Sequence, residues 1–228
     1  MIETNKPTLL PDYIIERASK LNSTLLSDAM GCTGGMDYQI KPVTSKMKVV
    51  GTAVTLTMRP TDNLFLHKAI YDGSEGYVLV ADGKGDTTHA YMGELMARAA
   101  KAVGLEGIVI DGAIRDREEL ENLGLPIFSK GFVPNGPLKD GPGTMNTSVT
   151  CGGIIVNPGD LIVGDADGVT VVPRDQIEEV FIKAEKKFEY EKKRIEAIND
   201  FEEKRKRGEI PNSLAPDWLD EKLKKFGY

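Results

Sequence analysis

Arg115 and Asp116 stand side by side just beyond a short apolar run, Gly107, Ile108, Val109 and Ile110, from which Asp111-Gly112-Ala113-Ile114 separates them. A guanidinium is a planar fork of donors that fits an oxyanion such as a carboxylate, and the adjacent carboxylate is a hard oxygen ligand for a divalent cation. Side by side they can hold an oxyanion next to a metal ion. Each residue also has a plain structural role. Asp111-Gly112 reads as a strand-to-helix turn, Arg115 as half of a surface ion pair worth little, and Asp116, with Glu119 three positions on, as the N-cap of a capping box. The stretch Gly93-Glu94-Leu95-Met96 is the second place where chemistry is expected. It opens a helical pattern, and the free amides and dipole of a helix N-terminus hold carboxylates well. Its plain reading is an ordinary first turn with Glu94 complementing the dipole.

Other motifs carry less. Ala81-Asp82-Gly83-Lys84-Gly85-Asp86 has neither the GxGxxG nor the GxxxxGK[ST] spacing of a phosphate loop. Gly164-Asp165-Ala166-Asp167-Gly168-Val169 lacks the regular oxygen ligands and closing Glu of a calcium loop, and its Asp-Gly between apolar runs predicts a hairpin turn. His67 and His89 are the only histidines, and no GxSxG elbow accompanies them. His89, in a polar stretch before the Gly93 helix, is the histidine expected to face a pocket, while His67 is read as a core or surface residue. Cys32 and Cys151 lie far apart without a CxxC spacing, so neither a zinc site nor a disulfide framework is expected.

These residues must be carried by a scaffold. Strand composition marks 49–58, 77–81, 107–110, 126–130, 154–156, 161–163 and 169–172, and helical patterns mark 11–21, 24–30, 63–71, 91–103, 116–123, 175–207 and 217–226. This alternation predicts a three-layer α/β domain. With 228 residues and 40% hydrophobic content the chain can bury a full core. A net charge of −6 argues against a nucleic-acid binder, which needs dominant clusters of Lys and Arg. The N-terminus lacks a basic start followed by an apolar core, and no run is long and apolar enough for a bilayer, so a soluble cytoplasmic protein without membrane association is expected.

The chain resembles the RraA-like family, which includes class II 4-hydroxy-4-methyl-2-oxoglutarate / 4-carboxy-4-hydroxy-2-oxoadipate aldolases and protein inhibitors of ribonuclease E. The resemblance spans roughly residues 20 to 195. It runs through Leu26-Ser27-Asp28-Ala29, Val50-Gly51-Thr52-Ala53-Val54-Thr55, Asp62-Asn63, Gly93-Glu94, Asp111-Gly112-x-x-Arg115-Asp116, Pro158-Gly159-Asp160 and Asp167-Gly168-Val169-x-Val171-Val172-Pro173. It implies a three-layer β/β/α swivelling-domain-like fold, with a catalytic domain over 1–195 and a helical extension over 196–228 that packs on the domain or on a neighbouring subunit. It further implies a divalent-metal-dependent lyase that cleaves a 4-hydroxy-2-oxo acid to release pyruvate, with oxaloacetate decarboxylation as a side activity.

In such aldolases the residue matching Arg115 binds the pyruvyl group and the one matching Asp116 binds Mg²⁺ or Mn²⁺. Amides within the stretch matching Gly93, Glu94, Leu95 and Met96 hold the substrate. The family forms trimers or hexamers, and Glu191 best matches a glutamate that a neighbouring subunit's C-terminal helix contributes to the site. Its plain reading is a solvated face, since Glu185, Glu189 and Glu196 also lie among lysines. The polar loop 84–90 and the Gly/Pro-rich stretch 135–145 are expected at the pocket or an interface. Two other functions fit the same resemblance: a non-catalytic regulator like the ribonuclease E inhibitors, and a different metal-dependent lyase.

Overall fold

The computed structural model describes residues 5–216 and 218–227; residues 1–4, Asp217 and Tyr228, on which the expectations for both termini partly fall, lie outside the described residues. Two short helices, α1 (Asp12–Ala18) and α2 (Ser23–Ala29), precede a two-residue strand β1 (Lys41–Pro42). Where β-branched residues alternate with helical patterns the chain builds successive strand–helix–strand units: β2 (Val49–Met58), α3 (Leu64–Tyr71), β3 (Tyr77–Ala90), α4 (Glu94–Ala102), β4 (Gly107–Ile114), α5 (Arg117–Leu123) and β5 (Ile127–Ser129). These four strands run parallel in the order β2-β3-β4-β5. Two short strands follow, β6 (Gly131–Phe132) beside β4 and β7 (Gly143–Met145) beside β2. The hairpin β8 (Val149–Cys151)–β9 (Ile154–Val156) forms a separate two-stranded sheet. β10 (Leu161–Asp165) and β11 (Gly168–Val172) extend the main sheet antiparallel from β2. At the far edge β1 pairs with β5, and Lys41 Nζ donates to the Asp167 carbonyl at the β10–β11 turn, so the sheet nearly closes on itself.

Period-two alternation along the strands divides the core. Val54, Leu56, Leu79, Ile108 and Ile110 pack under α3, α4 and α5 against Leu66, Ile70, Ala97, Ala100 and Leu120. On the opposite face Ala53, Val78, Val80, Val109, Phe128 and Ile162 pack against Val149, Cys151 and Val156 of the small hairpin. Helices, main sheet and hairpin are thus the three layers expected. α1, α2 and the first turns of α6 (Ile177–Lys206) cover β10 and β11 through Ile14, Leu26, Leu161, Val163 and Phe181. Each such side chain, fully buried, contributes about 1.5–3 kcal/mol.

The chain divides into two compact units between Ala184 and Glu185, within α6, and the second unit contains α7 (Trp218–Lys224). In that unit Arg194 donates to the Leu214 carbonyl at 2.7 Å and Trp218 Nε1 to Tyr190 Oη at 3.4 Å.

β3 and β4 run several residues further than their composition predicts. β4 does not turn at Asp111-Gly112 but continues to Ile114, and β3 reaches Ala90 instead of Ala81. The Asp111 carboxylate is buried, paired with Lys130 Nζ at 2.8 Å and accepting from the Gly152 amide at 2.9 Å. Burial alone would lower the pKa of Lys130, but Asp111 and Asp37 outweigh it and hold the ammonium charged. Gly112 is needed for close approach, since a Cβ there would lie 2.5 Å from Tyr91 Cε2. The expected hairpin forms, with Ala166 and Asp167 as its two-residue turn between the paired Asp165 and Gly168 of β10 and β11.

Candidate active site

The turn that ends β4 carries Arg115 and Asp116. Asp116 is left-handed, at φ 63° and ψ 49°, a conformation that costs a non-glycine residue on the order of 1 kcal/mol and tends to be kept where it serves a site. It occupies the N-cap position of α5, yet its side chain makes no capping hydrogen bond, so the expected capping box with Glu119 does not form. The reversed backbone instead turns the carboxylate towards α4. Asp116 Oδ2 accepts from the Glu94 amide at 2.9 Å, and Arg115 Nε lies 3.8 Å from the same oxygen. The Arg115 amide donates to the Met92 carbonyl at 2.9 Å, which fixes the strand end against the start of α4. Gly93 makes this approach possible. A Cβ on it would sit 2.2 Å from Asp116 Oδ2 and 3.0 Å from Arg115 Cγ.

Around this contact lies a cleft of about 530 Å³, walled by Tyr91–Met96 on one side and by Asn63, His67, Pro137 and Lys139 on another, with Arg115, Asp116 and Glu119 between them. Asn63 stands at the N-cap of α3 without capping it; the Asp62 carboxylate takes that role by accepting from the Leu64 amide at 2.9 Å. Asn63 Nδ2 reaches across to the Tyr91 carbonyl at 2.8 Å and Met96 Sδ at 3.2 Å, and its buried Oδ1 has no partner among the described residues. Burial pushes the Tyr91 phenol up to about 12, and the protonated hydroxyl donates to the Gly83 carbonyl at 2.6 Å. Asn63 and Tyr91 thereby hold the segment before Gly93 from both sides. Glu94 pairs with Arg98 at 2.7 Å. The amides of Leu95 and Met96 belong to the first turn of α4, where no intrahelical acceptor exists. The pKa of His67 is lowered by burial and by Lys139, which favours the neutral imidazole.

The fold brings Gly93, Glu94, Leu95, Met96, Arg115 and Asp116 together in this one cleft. The two histidines exchange the roles expected of them: His67 lines the cleft, whereas His89 is not among its lining residues and has its Nδ1 3.0 Å from Thr88 Oγ1. Glu191 lies in the second unit, half-exposed, with Oε1 3.8 Å from Lys187 Nζ. Asn63 and Lys139 are cleft residues to which the sequence reading gave no role of their own, and His67 is one that it read as a core or surface residue. For Asn63 the available signal was the Asp62-Asn63 pair itself, and for Lys139 its place in the Gly/Pro-rich stretch.

Among the described residues no three His, Cys, Asp or Glu side chains are grouped as a metal-binding cluster. The donor set at the cleft is therefore one carboxylate, Asp116, with Glu94 and Glu119 nearby. That set fits a hard cation which keeps most of its waters, such as Mg²⁺, and does not fit a closed zinc site.

Residues 23–171 match the family model RraA-like, described as Aldolase/RraA. This chain belongs to the RraA-like family. A Halalkalibacterium halodurans protein provisionally named 4-hydroxy-4-methyl-2-oxoglutarate aldolase is 44% identical over 178 residues, covering 78% of this chain and 85% of its own length. An uncharacterized protein from Pseudomonas syringae superposes with a TM-score of 0.74 at 29% identity, covering 85% of this chain and 96% of that one. The RNA-processing inhibitor RraA from Thermus thermophilis gives a TM-score of 0.62 at 29% identity, covering 67% of this RraA-like chain and 92% of the inhibitor. No helix among the described residues is long and apolar enough to cross a membrane.

Proposed function

We propose that this RraA-like protein is a divalent-metal-dependent lyase that cleaves a 4-hydroxy-2-oxo acid by retro-aldol reaction and releases pyruvate, with oxaloacetate decarboxylation as a side activity. One observation carries the reading: the Asp116 carboxylate lies beside the Arg115 guanidinium and against the first amide of α4, inside the cleft. The name of the Halalkalibacterium relative agrees with it.

In the cleavage the 4-hydroxyl gives its proton to a water molecule in the cleft and the C3–C4 bond breaks. The electron pair passes to C3 and onto the C2 oxygen, giving pyruvate enolate and a carbonyl fragment, and protonation at C3 completes pyruvate. Arg115 donates to the substrate carboxylate and to the C2 oxygen as charge gathers there, and its planar fork suits both. The first-turn amides of Leu95 and Met96 hold a carboxylate at the positive end of α4. Asp116, kept in place by the Glu94 amide, is the residue that would hold Mg²⁺ or Mn²⁺. When bound, the cation supplies Lewis-acid stabilisation of the enolate charge. Loss of CO₂ from oxaloacetate forms the same enolate, which is why both reactions belong to one site. We further propose a homotrimer or hexamer in which Glu191 of a neighbouring subunit's C-terminal helix joins the site.

A screen of 2-oxo acids for pyruvate release, with and without Mg²⁺, tests the proposal. Metal-dependent release from a 4-hydroxy-2-oxo acid is the expected result, and no release from any of them overturns it. The likeness to the Thermus inhibitor and the net charge of −6 favour a second reading, a protein-interaction regulator, which binding to a basic partner without turnover supports.

A further inference from the structure

The wall of the cleft that carries Pro137 and Lys139 is residues 133–142, the connection between β6 and β7, which has no regular secondary structure of its own apart from an isolated bridge at Leu138. So Gly- and Pro-rich a segment has little of its own to hold it, and tertiary contacts must order it. Its first half is tied by backbone bonds. The Val133 amide donates to Ile114 at 2.9 Å, the Asn135 carbonyl accepts from the Ala90 amide at 2.8 Å, and Leu138 exchanges bonds with Thr61 and Asn63 at 2.8 and 3.0 Å.

Its second half is held by the Asp62 side chain, with Arg59 Nη1 donating to the Gly141 carbonyl at 3.4 Å. The Asp140 and Gly141 amides donate to Asp62 Oδ2 at 2.6 and 3.0 Å, while Asp62 Oδ1 caps α3 at Leu64. Asp62 is only 2% exposed. Burying a carboxylate is costly unless hydrogen bonds satisfy it, and here its partners are backbone amides, two of them from the cleft wall.

Lys139 sits between Leu138 and Asp140, both of them tied down, and Gly136 of the same segment passes over Arg115 closely enough that a Cβ there would lie 3.2 Å from Nη1. We propose that Asp62 is a positioning residue for the reaction: by clamping residues 140 and 141 it aims Lys139 into the cleft, where its ammonium holds the anionic substrate, and keeps the segment seated over Arg115. This rests on the reading of the cleft as a site for an anionic 2-oxo acid. Burial would raise the pKa of Asp62, but the amides of Leu64, Asp140 and Gly141, with Arg59, outweigh it and hold the carboxylate ionised.

The test uses the full chain, with Asp62→Asn, Lys139→Ala and the double variant. Hydrogen exchange in residues 135–141 should rise at least about tenfold in Asp62→Asn while β4 and α4 stay protected. For the 2-oxo acid cleaved best by the wild type, KM should rise about tenfold in either single variant with kcat within about threefold, and the double variant should be no worse than Lys139→Ala, because both changes remove one interaction. Unchanged exchange, a loss in kcat alone, or effects that multiply would overturn the proposal. The wild type gives a measurement that needs no variant: slow exchange of the Asp140 and Gly141 amides supports the clamp and fast exchange refutes it. If the wild type cleaves no 2-oxo acid, the proposed function fails, and these exchange rates still decide whether Asp62 clamps the segment.

Discussion

Gly93→Ala adds one methyl group where α4 meets the Arg115-Asp116 turn. The backbone of Gly93, at φ −139° and ψ −165°, is extended and open to any residue, so alanine meets no conformational penalty. The obstacle is Asp116 Oδ2 at 2.2 Å from the new Cβ, with Arg115 Cγ at 3.0 Å and Nε at 3.1 Å behind it. The carboxylate must move by about 1 Å or more and lose its bond to the Glu94 amide, and displacements of that size cost a reaction about 100-fold. Stability changes less. The lost charge-assisted hydrogen bond costs about 1.5–3 kcal/mol when buried and less at this half-exposed position, and the stiffer unfolded chain returns about 0.4–1 kcal/mol. A net loss near 1 kcal/mol corresponds to a fall in Tm of about 2–4 °C. The expected outcome is thus a kcat/KM for pyruvate release about 100-fold lower, worth about 2.7 kcal/mol on the barrier, in a protein that melts almost normally. Wild-type kcat/KM in Gly93→Ala would refute the argument. So would an activity loss that merely tracks unfolding.

Four further outcomes are expected. Asp116→Asn, whose side chain also tolerates the left-handed backbone, should abolish pyruvate release without unfolding the protein, and EDTA should do so reversibly; full activity in EDTA, or a lysine adduct trapped by borohydride, would point to an imine mechanism instead. Arg115→Lys should lower kcat more than it raises KM, because a point charge cannot reproduce the fork, and an unchanged kcat would remove Arg115 from the chemistry. Lys130→Met strands the buried Asp111 carboxylate and should cost about 3 kcal/mol in urea unfolding, a loss under about 1 kcal/mol showing that the pair is dispensable. Glu191→Gln should reduce turnover without altering the mass by light scattering, whereas truncation before Asp175 should disrupt assembly and activity together; a fully active monomer would place the whole site in one chain.

The local pattern of the sequence determined the framework. β2 and β9 occupy the stretches their composition marks, the hairpin signalled by Asp167-Gly168 forms, and the Arg115-Asp116 pair and the start of the Gly93 helix, both singled out in the sequence, line one cleft. Strand periodicity, turn chemistry and helix starts depend on neighbours a few residues away, which any reader of the chain can see. Partners across the fold are another matter. Asp111-Gly112 looks like a turn until Lys130 and Tyr91 arrive from elsewhere to bury the carboxylate and fill the space beside the glycine, which lets β4 run on. Asp116 looks like a cap for α5, but the parallel pairing of β3 and β4 brings the start of α4 to its side, and a left-handed backbone sends the carboxylate there. His67 enters the cleft and His89 does not because α3 packs beside β2 and α4, an adjacency that no short-range period encodes. The sequence by itself determined which groups could do chemistry; the order of strands in the sheet decided which of them meet.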